Sequence, residues 1–360
     1  MRHPLRHPSP RSPRVTASFD QTDVLDLVVV GGGAAGLSGA KIAARARRTV
    51  LLVDAGAPRN GPAAGVHNYL YAEGAAPARL GEIGRAEAAG YGVQIINGTA
   101  VSAAVVPASG AGGPRFTVTV DVQDCGTRTV SARRLLLATG VVDVLPDIAG
   151  LRERWGRDVL HCPFCHGWEV RDQAIGVIGS GPTALHAVQL FRTLTDDVVY
   201  FQHTAPDPTE EQLELLAALS VPHVVGSVER VETADDALTG VRLATGDVVA
   251  RDALAVAPFV RGRSDLLADL DLRTSDLDMG GVSVGTYVPT DPTGLTGAPG
   301  VWAAGNLANL MAQVVTSASA GSAAGAAIHM DLMVEDSAAA VAAYRERHAS
   351  RGSSEIPPQM

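Results

Sequence analysis

The amino-acid sequence predicts an α/β protein with two Rossmann-like, three-layer nucleotide-binding domains, the second inserted into the first. Two segments, residues 25–56 and 173–204, each run strand, glycine turn, helix and strand. Two further apolar strands ending at glycine, LLLATG at 135–140 and VWAAGN at 301–306, flank the second segment. The first domain is therefore expected to be split, with residues 23–143 plus 278–335 on either side of an insertion over 144–277. A chain of 360 residues has room for two well-packed cores.

The chain opens with MRHPLRHPSPRSPR, which holds four Arg, four Pro and no acidic residue, and it lacks the apolar core of a signal peptide. Residues 1–22 read as a disordered basic, Pro-rich extension. The first nucleotide unit, LDLVVVGGGAAGLSGAKIAARARRTVLLVDAG, follows. Gly31 permits the tight turn, Gly33 lets backbone approach a pyrophosphate, and Gly36 lets the helix lie against the strand. Ala35 belongs to the same helix N-terminus, whose N–H groups face the phosphates. Asp54 ends the second strand, 18 residues after Gly36, where a carboxylate accepts a hydrogen bond from a ribose hydroxyl.

LLLATG then delivers Ala138 and Gly140 to the cofactor. HCPFCHG, residues 161–167, packs two of the three cysteines into four positions between His161 and His166. Taken alone it is a metal clip, a structural disulfide or a working dithiol. The second unit, QAIGVIGSGPTALHAVQLFRTLTDDVVYFQHT, keeps the nucleotide scaffold with Gly179, Gly181 and Ala184. Its recognition end is missing. No Asp or Glu ends VVYFQH to hold a 2′-hydroxyl, and no Arg or Lys lies between Arg192 and Arg230 to hold a 2′-phosphate. NADP(H) binding is expected to be weak or vestigial. VWAAGN delivers Gly305 and Asn306, and a helix is expected from about Ala312. The small-residue run from Val314 to Ile328 is broken by Thr316, Ser317, Ser319 and Ser322, which argues against a membrane span. Residues 336–360 read as a C-terminal helix and tail.

The net charge of -9, with 28 Arg but a single Lys, Lys41, argues against a nucleic-acid partner. Three cysteines cannot build a disulfide framework, so a reducing, cytoplasmic setting is expected.

GGGAAG, LLLATG, CPFC just before a second nucleotide unit, and GVWAAGN followed by Gln313 together resemble the low-molecular-weight thioredoxin reductase family of flavoprotein disulfide oxidoreductases, over residues 25 to about 335. The resemblance implies FAD in the split domain, a CxxC carried by the inserted domain, and a homodimer. By position, Gly31, Gly33, Gly36, Asp54, Ala138, Gly140, Gly305, Asn306, Gln313 and Val314 match the family's FAD contacts. Asn60 in PRN and His67 in HNYL line the flavin pocket. The helix after Ala312 would set its amino end against negative charge on a reduced flavin ring.

Three departures point one way. His166 follows the second cysteine where the reductases carry Asp. Gly305-Asn306 replaces their GD, and Gln202-His203-Thr204 replaces an HRR-type run for NADPH. CxxCHG, the degraded nicotinamide site and AGN with AQVV resemble the dithiol oxidases of gliotoxin- and holomycin-type pathways. That resemblance implies reversed electron flow: a small dithiol becomes a disulfide, and molecular oxygen takes the electrons as hydrogen peroxide.

Such chemistry needs two sulfurs beside one flavin. Cys162 is expected to exchange with substrate and Cys165 to face the flavin, with a helix N-terminus and an adjacent imidazolium lowering a thiol pKa. His166 suits the base that deprotonates substrate thiols, and His161 is a second candidate. A tetrahedral metal site wants four ligands, and His161 and His166 lie too close in sequence to complete one with the pair, so no metal is expected. Cys125, in DVQDCGTRTV, reads as a hairpin bystander. The rival readings are an NADPH-dependent reductase of thioredoxin, a flavoprotein fed by another electron carrier, and a non-catalytic redox sensor.

Overall fold

The computed structural model describes residues 24–107, 113, 115–181, 183–263 and 265–352. The extension expected over residues 1–22 and the last residues of the expected tail lie outside them.

The first sheet is built on Val24–Val30, whose apolar residues from Leu27 onward are buried on both faces, as a central parallel strand demands. Val50–Asp54 and the second half of Gly126–Leu137 flank it in parallel, and Gln94–Asn97 and Val301–Ala303 extend the sheet on either side. The remaining halves of the two long strands, Gln94–Val105 and Gly126–Leu137, pair with Phe116–Val122 as an antiparallel meander. Alternation then makes three layers. Leu27 and Val29 pack with helix Ala34–Arg45 and with Ala324, Ile328 and Leu332, while Val28 and Val30 pack with Phe116, Val118, Leu266 and Leu270.

The second sheet is parallel throughout, in the order His223–Val224, Val198–Phe201, Ile175–Ile178, Ala253–Val256, Val159–Leu160. Helices Ala184–Arg192 and Glu210–Ala218 cover one face, and an antiparallel sheet of Val228–Ala234, Ala237–Leu243 and Val248–Ala250 covers the other.

The chain leaves the first half through Val141–Val144 and returns through Phe259–Gly262, and these two strands pair antiparallel. Ser283–Tyr287 and Ser275–Asp278 complete this joining sheet. The inserted unit's own sheet thus ends at Val256, short of the expected limit at 277, because residues beyond it pair with the outgoing strand.

The C-terminal helix starts at Val314, two residues after Ala312, and runs unbroken to Gly352 across the expected boundary at 335. Charge explains the continuity. Arg133 and Arg134, buried on their strand, reach Glu335 at 3.1 and 2.6 Å, and Arg133 meets Asp336 while Arg134 meets Asp331, both at 2.5 Å. Unpaired buried guanidinium groups would be costly, so the helix supplies their partners. Against helix Ala34–Arg45 it packs backbone to backbone: a Cβ on Gly321 would stand 2.0 Å from Ala35 O, and one on Gly325 2.5 Å from Gly39 O. No described helix is long and apolar enough to cross a membrane.

Candidate active site

Ligands of open parallel sheets bind beyond the carboxyl ends of the strands. There the first sheet, the loop over residues 57–67 and the amino end of the C-terminal helix line a cleft of about 890 Å³, together with the turn that bears Cys162 and Cys165. Every expected cofactor position lines this cleft except Gly36. A Cβ on Gly36 would lie 1.8 Å from Gly31 O, so Gly36 sits beneath the turn and brings helix to strand. Gly31 has φ +110°, and a Cβ there would meet Ala138 O at 2.3 Å, so no other residue fits.

The residues present fit a dinucleotide. A Cβ on Gly33 would have no neighbour within 4 Å, leaving the helix N-terminus open to a pyrophosphate. Thr139 lines the cleft with a buried hydroxyl that has no partner among the described residues, a state that costs about 1–3 kcal/mol unless a ligand relieves it. Asp54 ends its strand in the cleft, where Arg85 of helix Pro77–Gly90 pairs with its carboxylate. Nothing in the sequence signals that pair, which joins two separate elements.

Asn306 also lines the cleft, but its amide group donates to the carbonyls of Ala312 at 2.9 Å and of Leu310 and Asn309 at 3.3 Å. It shapes the loop that leads to Gln313. A carboxylate cannot donate and would face three carbonyl oxygens, so Asn306→Asp is expected to destabilise the flavin-loaded protein by about 1–3 kcal/mol, read as a lower melting temperature at neutral pH.

Cys162 precedes the single helical turn Pro163–His166, at the start of which it sits as N-cap. Both cysteines are free, and the Cys165 thiol donates to Cys162 Sγ at 2.9 Å. That hydrogen bond, acting against burial and helped by the N–H groups of Cys165 and Phe164, lowers Cys162 to about 6. Cys165 is raised as the donor of the bond, and then by burial. Gln313 Nε2 lies 3.7 Å from Cys165 Sγ, so the residue just before the helix of the flavin half touches the second sulfur.

The imidazolium expected beside the pair is not its source of acidity. Burial lowers His166, and burial with the charge of Arg59 lowers His161 to about 4, so both rings are neutral at pH 7. The thiolate is set by hydrogen bonds instead. Iodoacetamide should therefore alkylate Cys162 of the reduced protein at a rate that rises through about pH 6 and is level by neutrality. A midpoint near about 8.5, that of a free thiol, would contradict this.

Arg59 and Asp143 form a two-pronged ion pair in the cleft wall, at 2.9 and 2.6 Å, and bind the 57–67 loop to the outgoing strand. His67 lines the cleft too. Its Nδ1 lies 2.6 Å from Glu73 Oε1, its Nε2 3.4 Å from Glu169 Oε1, and its ring 6.1 Å from that of His166. Asn68 Nδ2 donates to the Phe164 carbonyl at 2.5 Å, tying this loop to the cysteine turn. Apart from His67–Glu73, these contacts join residues about a hundred apart, which no local pattern reveals.

In the second nucleotide unit, Gln202 ends the Val198–Phe201 strand buried, its amide donating to Asp207 Oδ1 at 2.7 Å while its Oε1 lies 3.0 Å from His223 Nε2. The position that would recognise a ribose is thus occupied by the protein's own polar groups.

Residues 25–321 match the family model of pyridine nucleotide-disulphide oxidoreductases. The crystal structure of HlmI aligns with a TM-score of 0.82 at 42% identity, covering 91% of this chain and 99% of that one. Thioredoxin reductase sirT of Leptosphaeria maculans is 29% identical over 329 residues, 88% of this chain and 97% of that protein. A probable thioredoxin reductase of Arthroderma benhamiae is 33% identical over 190 residues, 53% of this chain, and the alignment spans 46% of that protein's length. The nested nucleotide units, the cleft and these likenesses agree: the chain belongs to the pyridine nucleotide-disulphide oxidoreductase family, is an oxidoreductase and, like the family's thioredoxin reductase-like members, binds FAD.

Proposed function

We propose that this protein is an FAD-dependent dithiol oxidase that closes a disulfide in a small-molecule dithiol, with oxygen as electron acceptor and hydrogen peroxide as product. The observation that carries the reading is the contrast between its two nucleotide units: the first opens onto a dithiol-bearing cleft, while the second has Gln202, Asp207 and His223 bound to one another where a nicotinamide cofactor's ribose would need recognition. Electrons must then enter from the sulfur side. Phe164 and Met311, both about two-thirds exposed at 67%, give the cleft an apolar rim suited to a small organic substrate. We place the enzyme in the cytoplasm as a homodimer, on its cysteine usage and the family resemblance.

In the oxidised enzyme, a substrate thiolate attacks the Cys162 side of the Cys162–Cys165 disulfide. A mixed disulfide forms and Cys165 departs with the electron pair. The substrate's second thiolate attacks its own sulfur in the mixed disulfide, closing the product disulfide and expelling Cys162. A low pKa makes Cys162 the better leaving group. Two protons leave the substrate. Neutral His166 accepts one as it is released, and Cys165 holds the other as a thiol hydrogen-bonded to Cys162. FAD, when bound, supplies the two-electron acceptor that reoxidises the pair and passes the electrons to oxygen.

Reduction of thioredoxin by NADPH is the second reading, favoured by the names of the relatives. Anaerobic mixing separates the two. A dithiol such as dithiothreitol should bleach the flavin, and NADPH at micromolar concentration should not. Rapid bleaching by NADPH, with turnover of thioredoxin, would overturn the oxidase reading.

A further inference from the structure

We propose that His67, His166 and Glu169 form a site for a borderline divalent metal ion, zinc or its neighbours, beside the redox pair, and that occupying it reversibly stops turnover. The inhibitory part rests on His166 being the base of the reaction proposed above. The site itself does not. No metal was expected because Cys162 and Cys165 lack a second pair of ligands at workable spacing; the fold instead brings His67 from the other half of the molecule to His166 and Glu169.

The donor atoms of the three side chains all lie within 4.8 Å of one another. Ligands about 2.0–2.1 Å from zinc at tetrahedral angles are about 3.3–3.4 Å apart. The 3.4 Å between His67 Nε2 and Glu169 Oε1 is already that separation. His166 completes a three-ligand face with an open fourth position, the pattern of a site that binds an ion reversibly.

A second observation points to an ion. Glu73 Oε1 lies 2.6 Å from His67 Nδ1, and the N–H of Asn68 holds the other Glu73 oxygen at 3.0 Å. With Nδ1 turned to Glu73, Nε2 faces the Glu169 carboxylate across 3.4 Å, the direction in which an ion held by both would sit. A carboxylate behind an imidazole is the usual outer partner of a metal-binding histidine, fixing its tautomer and direction. Two imidazoles and one carboxylate select zinc, cobalt or nickel over magnesium and calcium, which want oxygen ligands. An ion held there takes the lone pair of His166, leaving the substrate's thiol proton without its acceptor.

The experiment must separate this site from the dithiol, which also has affinity for zinc. Titration calorimetry with zinc chloride is run on the flavin-loaded Cys162→Ser/Cys165→Ser protein in buffer free of chelators, with flavin absorbance as the check on folding. One ion per chain is expected. In that background His67→Ala should weaken binding at least 10-fold, and Glu73→Gln, which touches no ion, about 10- to 100-fold. Loss of binding on removing both cysteines, or undiminished binding in His67→Ala, would overturn the site. In the protein with both cysteines, zinc should halt dithiol oxidation, chelator should restore it, and His67→Ala should need at least 10-fold more zinc. Binding without inhibition would overturn the inhibitory role alone. The calorimetric arm requires no turnover, so the metal site and the oxidase reading fail separately.

Discussion

Cys162→Ser is expected to lower dithiol-dependent oxygen consumption by about 10³-fold or more while the flavin stays bound, since removing the attacked atom of a covalent mechanism removes the mechanism. A serine hydroxyl neither exchanges with thiols nor leaves at neutral pH. Cys165→Ser should be equally inactive but distinguishable. Cys162 in that variant still forms a mixed disulfide with a disulfide reagent whose leaving thiol departs, and with no neighbouring sulfur to resolve it the adduct persists and is read as a mass increase on the intact protein. Cys165→Ala, which removes the donor to the Cys162 thiolate where serine would keep one, should raise the Cys162 pKa from about 6. Undiminished oxygen uptake in either variant would remove the redox pair from the reaction.

Gly321→Val is expected to be strongly destabilising although it lies away from the sulfurs. The two helices whose amino ends line the cleft touch through backbone, and the first atom of any side chain at 321 would stand 2.0 Å from Ala35 O. That neighbour is backbone at the start of helix Ala34–Arg45, so it has no rotamer to give. Forcing the helices apart should cost about 3 kcal/mol or more and lower the melting temperature of the flavin-loaded protein by roughly 5–10 °C. It should also weaken flavin retention, because Gly33 and Val314 open the two helices onto one cleft. Wild-type melting of Gly321→Val with full flavin content would show that the contact yields freely.

What the sequence revealed follows from which constraints are local. Gly31 and Gly33 were legible because a turn with φ +110° and a helix end open to a phosphate need particular residues at fixed spacing. CPFC and the unassisted run Gln202-His203-Thr204 were legible for the same reason. The acidity of Cys162 and the part played by the N–H groups of its helical turn were expected, but the imidazolium was not found, since the burial that keeps His161 and His166 neutral is a property of the folded surroundings. Asn306 looked like a cofactor contact, and its three carbonyl partners emerge only once the following loop has folded back. The apolar strand Phe259–Gly262 reads alike in either domain, and only its pairing with Val141–Val144 places it in the joining sheet. The pairing of Arg133 and Arg134 with Asp331, Glu335 and Asp336 spans about two hundred residues and leaves no local trace.

The cleft draws its walls from two kinds of material. Its cofactor end rests on helices whose spacing admits no added atom, while its mouth is edged by the exposed Phe164 and Met311. Mutation is therefore filtered unevenly. A lineage can exchange residues at the mouth, and with them the molecules it accepts, without disturbing the electron path behind it. Such a protein can diversify its chemistry quickly while its nucleotide-binding frame stays almost unchanged.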